Sequence, residues 1–251
     1  MTTYNWTSAS RTDAGSVRDR NEDAVLDRPD VGLWAVADGM GGHIRGDLAS
    51  QAIIDQLATL QAPRTLSQFV TAVEIELLEV NANLRKLAES SLPRTIGSTV
   101  VTLMLRGDYG VCMWAGDSRA YRLRNGELVQ LTQDHALVED LVQSGYLDRS
   151  QADSHPQAHL VTRAVGASDA LELDLEIFDV RERDMFILCS DGLNKTLAYE
   201  DIAALARDCL AGRVTQPPAE ALIERALARG ARDNVTVSAV IIDEPTANHV
   251  G

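Results

Sequence analysis

Positive charge is what this 251-residue chain has least of: 23 Lys and Arg stand against 37 Asp and Glu, a formal net charge of -14. That balance argues against a nucleic-acid backbone or an anionic membrane as a general partner. Long apolar runs are missing too. The longest, Met185 to Cys189 and Val235 to Ile242, have the length of strands and fall far short of the ~20 residues that cross a bilayer. The N-terminal stretch has no signal-peptide core, so the chain reads as soluble, non-secreted and cytoplasmic. Cysteine is scarce and odd in number. Cys112, Cys189 and Cys209 lie among apolar neighbours, which reads as buried thiols in a reducing compartment. With no Cys-x-x-Cys and no paired histidines, a zinc site is disfavoured. No repeat, low-complexity segment or break in composition divides the chain, so it reads as one domain over residues 1–245 with a tail at 246–251.

What is present is a recurring pattern of acids at strand ends. Leu33-Trp34-Ala35-Val36-Ala37 is a short apolar run that predicts a buried strand, with Asp38 at its tip and Gly39, Gly41 and Gly42 just beyond. A carboxylate beside an approachable carbonyl suits magnesium or manganese, which take oxygen ligands. Asp117 follows Gly116 at an expected bend in a meander running from Ser98 to Arg124, which Asn125-Gly126 turns into a hairpin. Asp191 ends the strand Met185–Cys189, and Asp233 precedes the strand Val235–Ile242. Four such carboxylates brought to one place would repel unless protonated or bound to cations, so the pattern predicts a binuclear oxygen-ligand metal centre. Two such metals lower the pKa of a bridging water and neutralise a tetrahedral anion.

Helical periodicity predicts helices from Leu48 to Leu60, Thr65 to Glu89, Ala136 to Ser144, Tyr199 to Ala211 and Ala219 to Arg229. The polar stretch from Tyr146 to His159 has no period and reads as part of a mobile flap over about 136–166. Strands in two clusters, each followed by helices, predict an α+β fold of layered antiparallel sheets.

Seven segments then fall into one order: Arg18-x-x-Asn21-Glu22-Asp23, Asp38-Gly39-Met40-Gly41-Gly42-His43, Gly97-Ser98-Thr99, Gly116-Asp117-Ser118-Arg119, Leu160-x-x-Arg163-Ala164-Val165-Gly166, Cys189-Ser190-Asp191-Gly192-Leu193 and Asp233-Asn234-Val235-Thr236. The set resembles the successive motifs of the metal-dependent type 2C serine/threonine protein phosphatases, in their compact bacterial form. That resemblance implies a four-layer α-β-β-α sandwich of two antiparallel sheets flanked by helices. It implies two Mn2+ or Mg2+ ions, with Asp38 bridging them, the Gly39 carbonyl on one, and Asp191 and Asp233 completing the other. Asp117 with Asp191 would hold a weaker third ion, and Glu22 and Asp23 would act through coordinated waters, with Asn234 beside them. Arg18 would grip the substrate phosphate, a bidentate task that suits a guanidinium. The implied reaction is direct in-line attack of metal-bound hydroxide on phosphoserine or phosphothreonine proteins, in opposition to a Ser/Thr kinase, by a monomer. Met40 stands where eukaryotic relatives carry a histidine as leaving-group acid, so the proton would come from metal-bound water or from His43.

Rival chemistries find less in the sequence. None of the three cysteines has the Cys-x5-Arg spacing of a tyrosine phosphatase, and Gly-x-Ser-x-Gly is missing because Ala120 follows Gly116-Asp117-Ser118-Arg119. A phosphoprotein-binding pseudophosphatase is opposed by intact Arg18, Asp38, Asp191 and Asp233. A metal phosphodiesterase could use the same ions, and relative rates on a phosphothreonine peptide and a small phosphodiester separate the two.

Overall fold

The computed structural model describes residues 4–40, 46–89, 96–152 and 154–243. Gly41, Gly42, His43 and the expected tail lie outside these residues. In chain order the elements are β1 (Trp6–Asp13), β2 (Asp23–Arg28), β3 (Leu33–Met40), α1 (Gly46–Ala58), α2 (Leu66–Glu89), β4 (Gly97–Ser98), β5 (Val100–Arg106), β6 (Tyr109–Ala115), β7 (Arg119–Arg124), β8 (Glu127–Gln130), α3 (Leu137–Gln143), α4 (Arg149–Ala152), β9 (Asp174–Asp179), β10 (Met185–Cys189), α5 (Asp191–Thr196), α6 (Tyr199–Leu210), α7 (Pro218–Ala228) and β11 (Val235–Ile242). One sheet has the order β1-β11-β10-β7-β8, the other β2-β3-β5-β6-β9 with β4 paired to β3, and the pairings are antiparallel.

The apolar runs are nearly continuous because both faces of each sheet are covered. In β3, Leu33, Ala35 and Ala37 pack with Ile53 of α1 and Phe69, Val73 and Leu77 of α2, while Trp34 and Val36 turn to the space between the sheets. In β10, Met185, Ile187 and Cys189 meet α6 and α7, while Phe186 and Leu188 face inward against Val101, Leu103 and Val240. Three apolar layers therefore separate four layers of backbone, the α-β-β-α order that the motifs implied. The helices α2, α6 and α7 match the periodic segments of the sequence to within two residues.

Three sequence-based expectations change. Asp38 is not at a strand tip: β3 runs on through Gly39 and Met40, because β4 pairs with those two residues. Nor does Asp117 sit at a bend within one meander. Strands β6 and β7 belong to different sheets, and Gly116, at φ 117°, turns the chain from one to the other. Finally, α5 starts at Asp191, where glycine and a run of only six residues hide the helical period. The Asn125-Gly126 turn is as expected, with φ 53° and 82°, the left-handed pair of a type I′ hairpin.

A charged corner lies at the start of β10, in the β1-β11-β10-β7-β8 sheet. Asp184 is fully buried and takes two hydrogen bonds from Arg124, at 2.8 and 2.6 Å, with a third from the Arg181 amide at 2.8 Å. Arg124→Met would strand that carboxylate, at an expected cost of about 3–5 kcal/mol. The urea midpoint should fall accordingly, and adding Asp184→Asn should recover part of the loss. A midpoint unchanged by Arg124→Met would show the pair to be dispensable.

Candidate active site

The antiparallel order brings the end of β3, the start of β2, the β6–β7 crossover, the end of β10 and the start of β11 to one end of the sandwich. A cleft of about 370 Å3 opens there. Its walls include Asp38, Asp117, Asp191, Asp233, Glu22 and Arg18. The four acids singled out by their strand-end context thus converge, although residues 38 and 233 lie almost two hundred positions apart.

Each is held by its neighbours. The carbonyl of Asp38 accepts hydrogen bonds from the Thr99 amide and the Ser98 hydroxyl, both at 2.9 Å, and its amide donates to Thr99 Oγ1 at 3.2 Å. The Gly39 amide donates to the Glu22 carbonyl at 3.1 Å, and a Cβ there would lie 2.1 Å from the Gly46 carbonyl oxygen, so only glycine lets β3 pass between β2 and α1. Gly192 is constrained the same way: its Cβ would sit 1.9 Å from the Asn234 carbonyl oxygen, which seats Asp191 against the start of β11. Asn234 uses its whole amide as a staple. Its Oδ1 accepts from the Glu22 amide at 2.8 Å, and its Nδ2 donates to the carbonyls of Ala14 and Arg20 at 3.0 and 2.9 Å. The loop carrying Arg18 and Glu22 is thereby fixed to the Asp233 turn.

The electrostatics are those of crowded acids. Burial, then the charges of Asp23, Asp191, Asp117 and Asp233, push the Asp38 carboxyl well above the usual carboxylate range. Burial and then Asp191 raise Asp117 to about 6. Asp23, directly opposite Asp38 in the β2–β3 register, is raised by burial to about 7 although Ser190 and Thr236 both donate to its Oδ2 at 2.7 Å. Its Oδ1 is buried without a partner. Asp23 is not part of the cleft wall; it lies in the core beneath it.

Two cations already meet the cluster. Arg18 donates from Nε and one Nη to the two oxygens of Asp233, both at 2.9 Å. Burial would raise Asp233, but those bonds and the Asn234 amide outweigh it and hold its carboxyl below the usual value. Lys195 pairs with Asp191 one helical turn before it and also feels Asp117 and Asp38. Its part in the site was invisible in the sequence because α5 itself was. His159, Leu160 and Val161 of the expected flap segment, with Met40 and Thr99, complete the wall. The flap has a small core of its own, in which Ala136, Val138 and Ala152 pack with Val142 and Leu147. It also contains the four-residue helix α4.

Among the described residues no three acid, histidine or cysteine side chains are gathered closely enough to cage an ion as they stand. The donor set nonetheless fits hard cations. It is all oxygen, its central carboxylate is destabilised by burial and by its acidic neighbours, and beneath the wall Asp23 holds a buried oxygen without a partner. Divalent ions would relieve the repulsion that the salt bridges to Arg18 and Lys195 relieve only at two of the acids.

A protein phosphatase 2C family model matches residues 12–228. The chain belongs to the protein phosphatase 2C family. It is 34% identical over 237 residues to the serine/threonine phosphatase Stp of Listeria monocytogenes, covering 90% of this chain and 92% of that one. The structure of PppA, described as a key regulatory component of T6SS in Pseudomonas aeruginosa, superposes with a TM-score of 0.87 at 41% identity, over 96% of this chain and 99% of PppA. The catalytic domain of the phosphatase PstP in complex with two manganese ions superposes at 0.82 and 33% identity, over 96% of this chain and all of that one. Of the segments that carried the resemblance, those within the described residues supply most of this phosphatase 2C chain's cleft wall.

Proposed function

We propose that this chain is a metal-dependent phosphatase of phosphoserine and phosphothreonine in proteins. The observation that carries the reading is the convergence of Asp38, Asp117, Asp191, Asp233, Glu22 and Arg18 on one cleft. In this reading Asp38 and the Gly39 carbonyl bind two divalent cations together with Asp191 and Asp233, while Glu22 supports them through water. Asp117 with Asp191 offers a third, weaker position, next to the Lys195 ammonium. When bound, the cations supply a water acidified to near neutral pH and positive charge against the phosphoryl oxygens.

The protein's own part is orientation. Arg18 is half exposed and its guanidinium is directed by Asp233, so it can exchange that carboxylate for a phosphate while keeping two parallel N–H donors. Asn234 holds the Arg18 loop in register with the acids. His159 and Leu160 of the flap segment add to the cleft wall, where they can meet the peptide chain of a substrate. Among the described residues the cleft keeps Arg18, Asp38, Asp191 and Asp233 together, which favours turnover over a binding-only role. We place the enzyme as the counterpart of a Ser/Thr kinase, acting in the cytoplasm as a single domain over 1–245; no described helix is long and apolar enough to cross a membrane.

The deciding experiment is phosphate release from a phosphothreonine peptide by chelator-stripped protein, titrated with manganese and magnesium. Activity should be absent without metal and return on titration, and a small phosphodiester should be a far poorer substrate. Metal binding with no release from any phosphopeptide would overturn the reading.

A further inference from the structure

A second cavity, of about 560 Å3, adjoins the catalytic cleft and shares Arg18, Glu22 and Asp233 with it. What it adds is Val17, Asp19, Arg20 and Arg232. Arg20 and Arg232 are exposed, and neither side chain has a hydrogen bond or ion pair among the described residues. The contrast is with Arg18 in the same cavity wall, which is engaged by Asp233. What distinguishes these two guanidiniums is their place, beside a cleft walled by acids in a chain of net charge -14, where they leave positive charge uncompensated next to Arg18. The backbone under them is rigid. The Arg20 carbonyl accepts from Asn234, Ser16 donates through both its amide and its hydroxyl to the Ala231 carbonyl, and a Cβ on Gly15 would strike the Asp233 carbonyl oxygen. Loop 14–20 and turn 231–234 are thus stapled together, so both arginines are presented from one fixed surface.

We propose that Arg20 and Arg232 form a subsite for a second anionic group on the phosphoprotein substrate, a residue flanking the one whose phosphate enters the catalytic cleft. The proposal rests on the phosphatase reading above and names its substrate class: phosphopeptides carrying a neighbouring phosphate or carboxylate. Asp19, Glu22 and Asp233 are the opposing charges in the cavity, Asp233 already paired with Arg18, and a phosphate dianion gains more than a monoanion because it offers three acceptor oxygens to two guanidinium forks. Exposed Val17 gives the peptide an apolar contact at the cavity's rim.

The test compares kcat/KM with manganese for phosphothreonine peptides that differ only in flanking residues: neutral, glutamate, or a second phosphothreonine, placed on either side. The doubly phosphorylated peptide should exceed the neutral one by about 3- to 10-fold, the range expected of two exposed charge contacts, and the advantage should shrink at high salt. In Arg20→Gln/Arg232→Gln the ratio should fall to about one, and Arg20→Lys/Arg232→Lys should keep part of it. Because the readout is a ratio within one preparation, any loss of folding or metal cancels. An advantage for glutamate as large as for phosphate would assign the subsite to charge alone; an advantage for phosphate only would assign it to multiply phosphorylated segments. Equal rates for all flanks in the wild-type protein, or a preference that survives the double Gln variant, would overturn the subsite while leaving the phosphatase reading intact. Failure of the wild-type protein to hydrolyse any of these peptides would instead overturn the phosphatase reading.

Discussion

Asp38→Asn is expected to remove phosphate release, with kcat/KM falling by roughly 10²- to 10³-fold or more, and at the same time to raise the melting temperature of the metal-free protein. The two effects have one cause. Asp38 sits where burial and four other acids oppose its charge, so a neutral side chain of the same shape relieves the apo fold. A site built for folding stability would not put a charge there. The amide keeps the backbone bonds that tie residue 38 to Ser98 and Thr99, because these use main-chain atoms only. For a domain of this size each kcal/mol relieved is worth about 2–4 °C. Thermal melts with and without manganese complete the test: the wild-type protein should gain stability from the metal, and the variant should gain little. A variant that keeps its activity, or that melts lower than the wild-type protein without metal, would contradict the role proposed for Asp38.

Much of this was legible in the residues. The helix faces of α2, α6 and α7 and the two-sided burial of β3 and β10 follow from apolar periodicity. The site acids were legible for a different reason: Asp38, Asp117, Asp191 and Asp233 each interrupt an apolar strand or adjoin one, where a charge has no packing role. What remained hidden depended on contacts made across the chain. Sheet membership is one case, since nothing local says that β6 and β7 part company at Gly116. Lys195 is another, because its pairing with Asp191 exists only on a helix too short to show a period. Asp23 is the third in part: the resemblance named it as an acid acting through coordinated water, but its position opposite Asp38 and its bonds to Ser190 and Thr236 come from β2, β10 and β11 meeting.

The same buried acids predict an inverted pH dependence for the metal-free protein. Carboxyls whose folded pKa lies above the unfolded value stabilise the fold below that unfolded value, near 3.8, and the contribution is lost as pH rises through the folded one. For Asp117 and Asp23 the loss builds from near pH 3.8 and is complete by about pH 6 and pH 7, and Asp38 adds to it in the same direction. The apo protein should therefore melt higher at pH 5.5 than at pH 8, by on the order of 5–10 °C. Carboxyls held low by arginine partners work the other way. Asp233 beside Arg18 and Asp179 beside Arg181 and Arg124 stabilise the fold at higher pH, and that support goes only as pH drops through and below 3.8. Stability without metal should thus peak at about pH 4, lower than the ~pH 5–8 usual for a folded domain. Saturating manganese should flatten the fall above pH 6, because bound cations replace the protons that the acids would otherwise retain, and Asp38→Asn should flatten part of it without metal. Melts of chelator-stripped protein from pH 4 to 8, repeated with manganese, measure both slopes. An apo protein as stable at pH 8 as at pH 5.5 would mean that the acids at this end of the sandwich are not in strained proximity, and the metal assignment would lose its electrostatic basis.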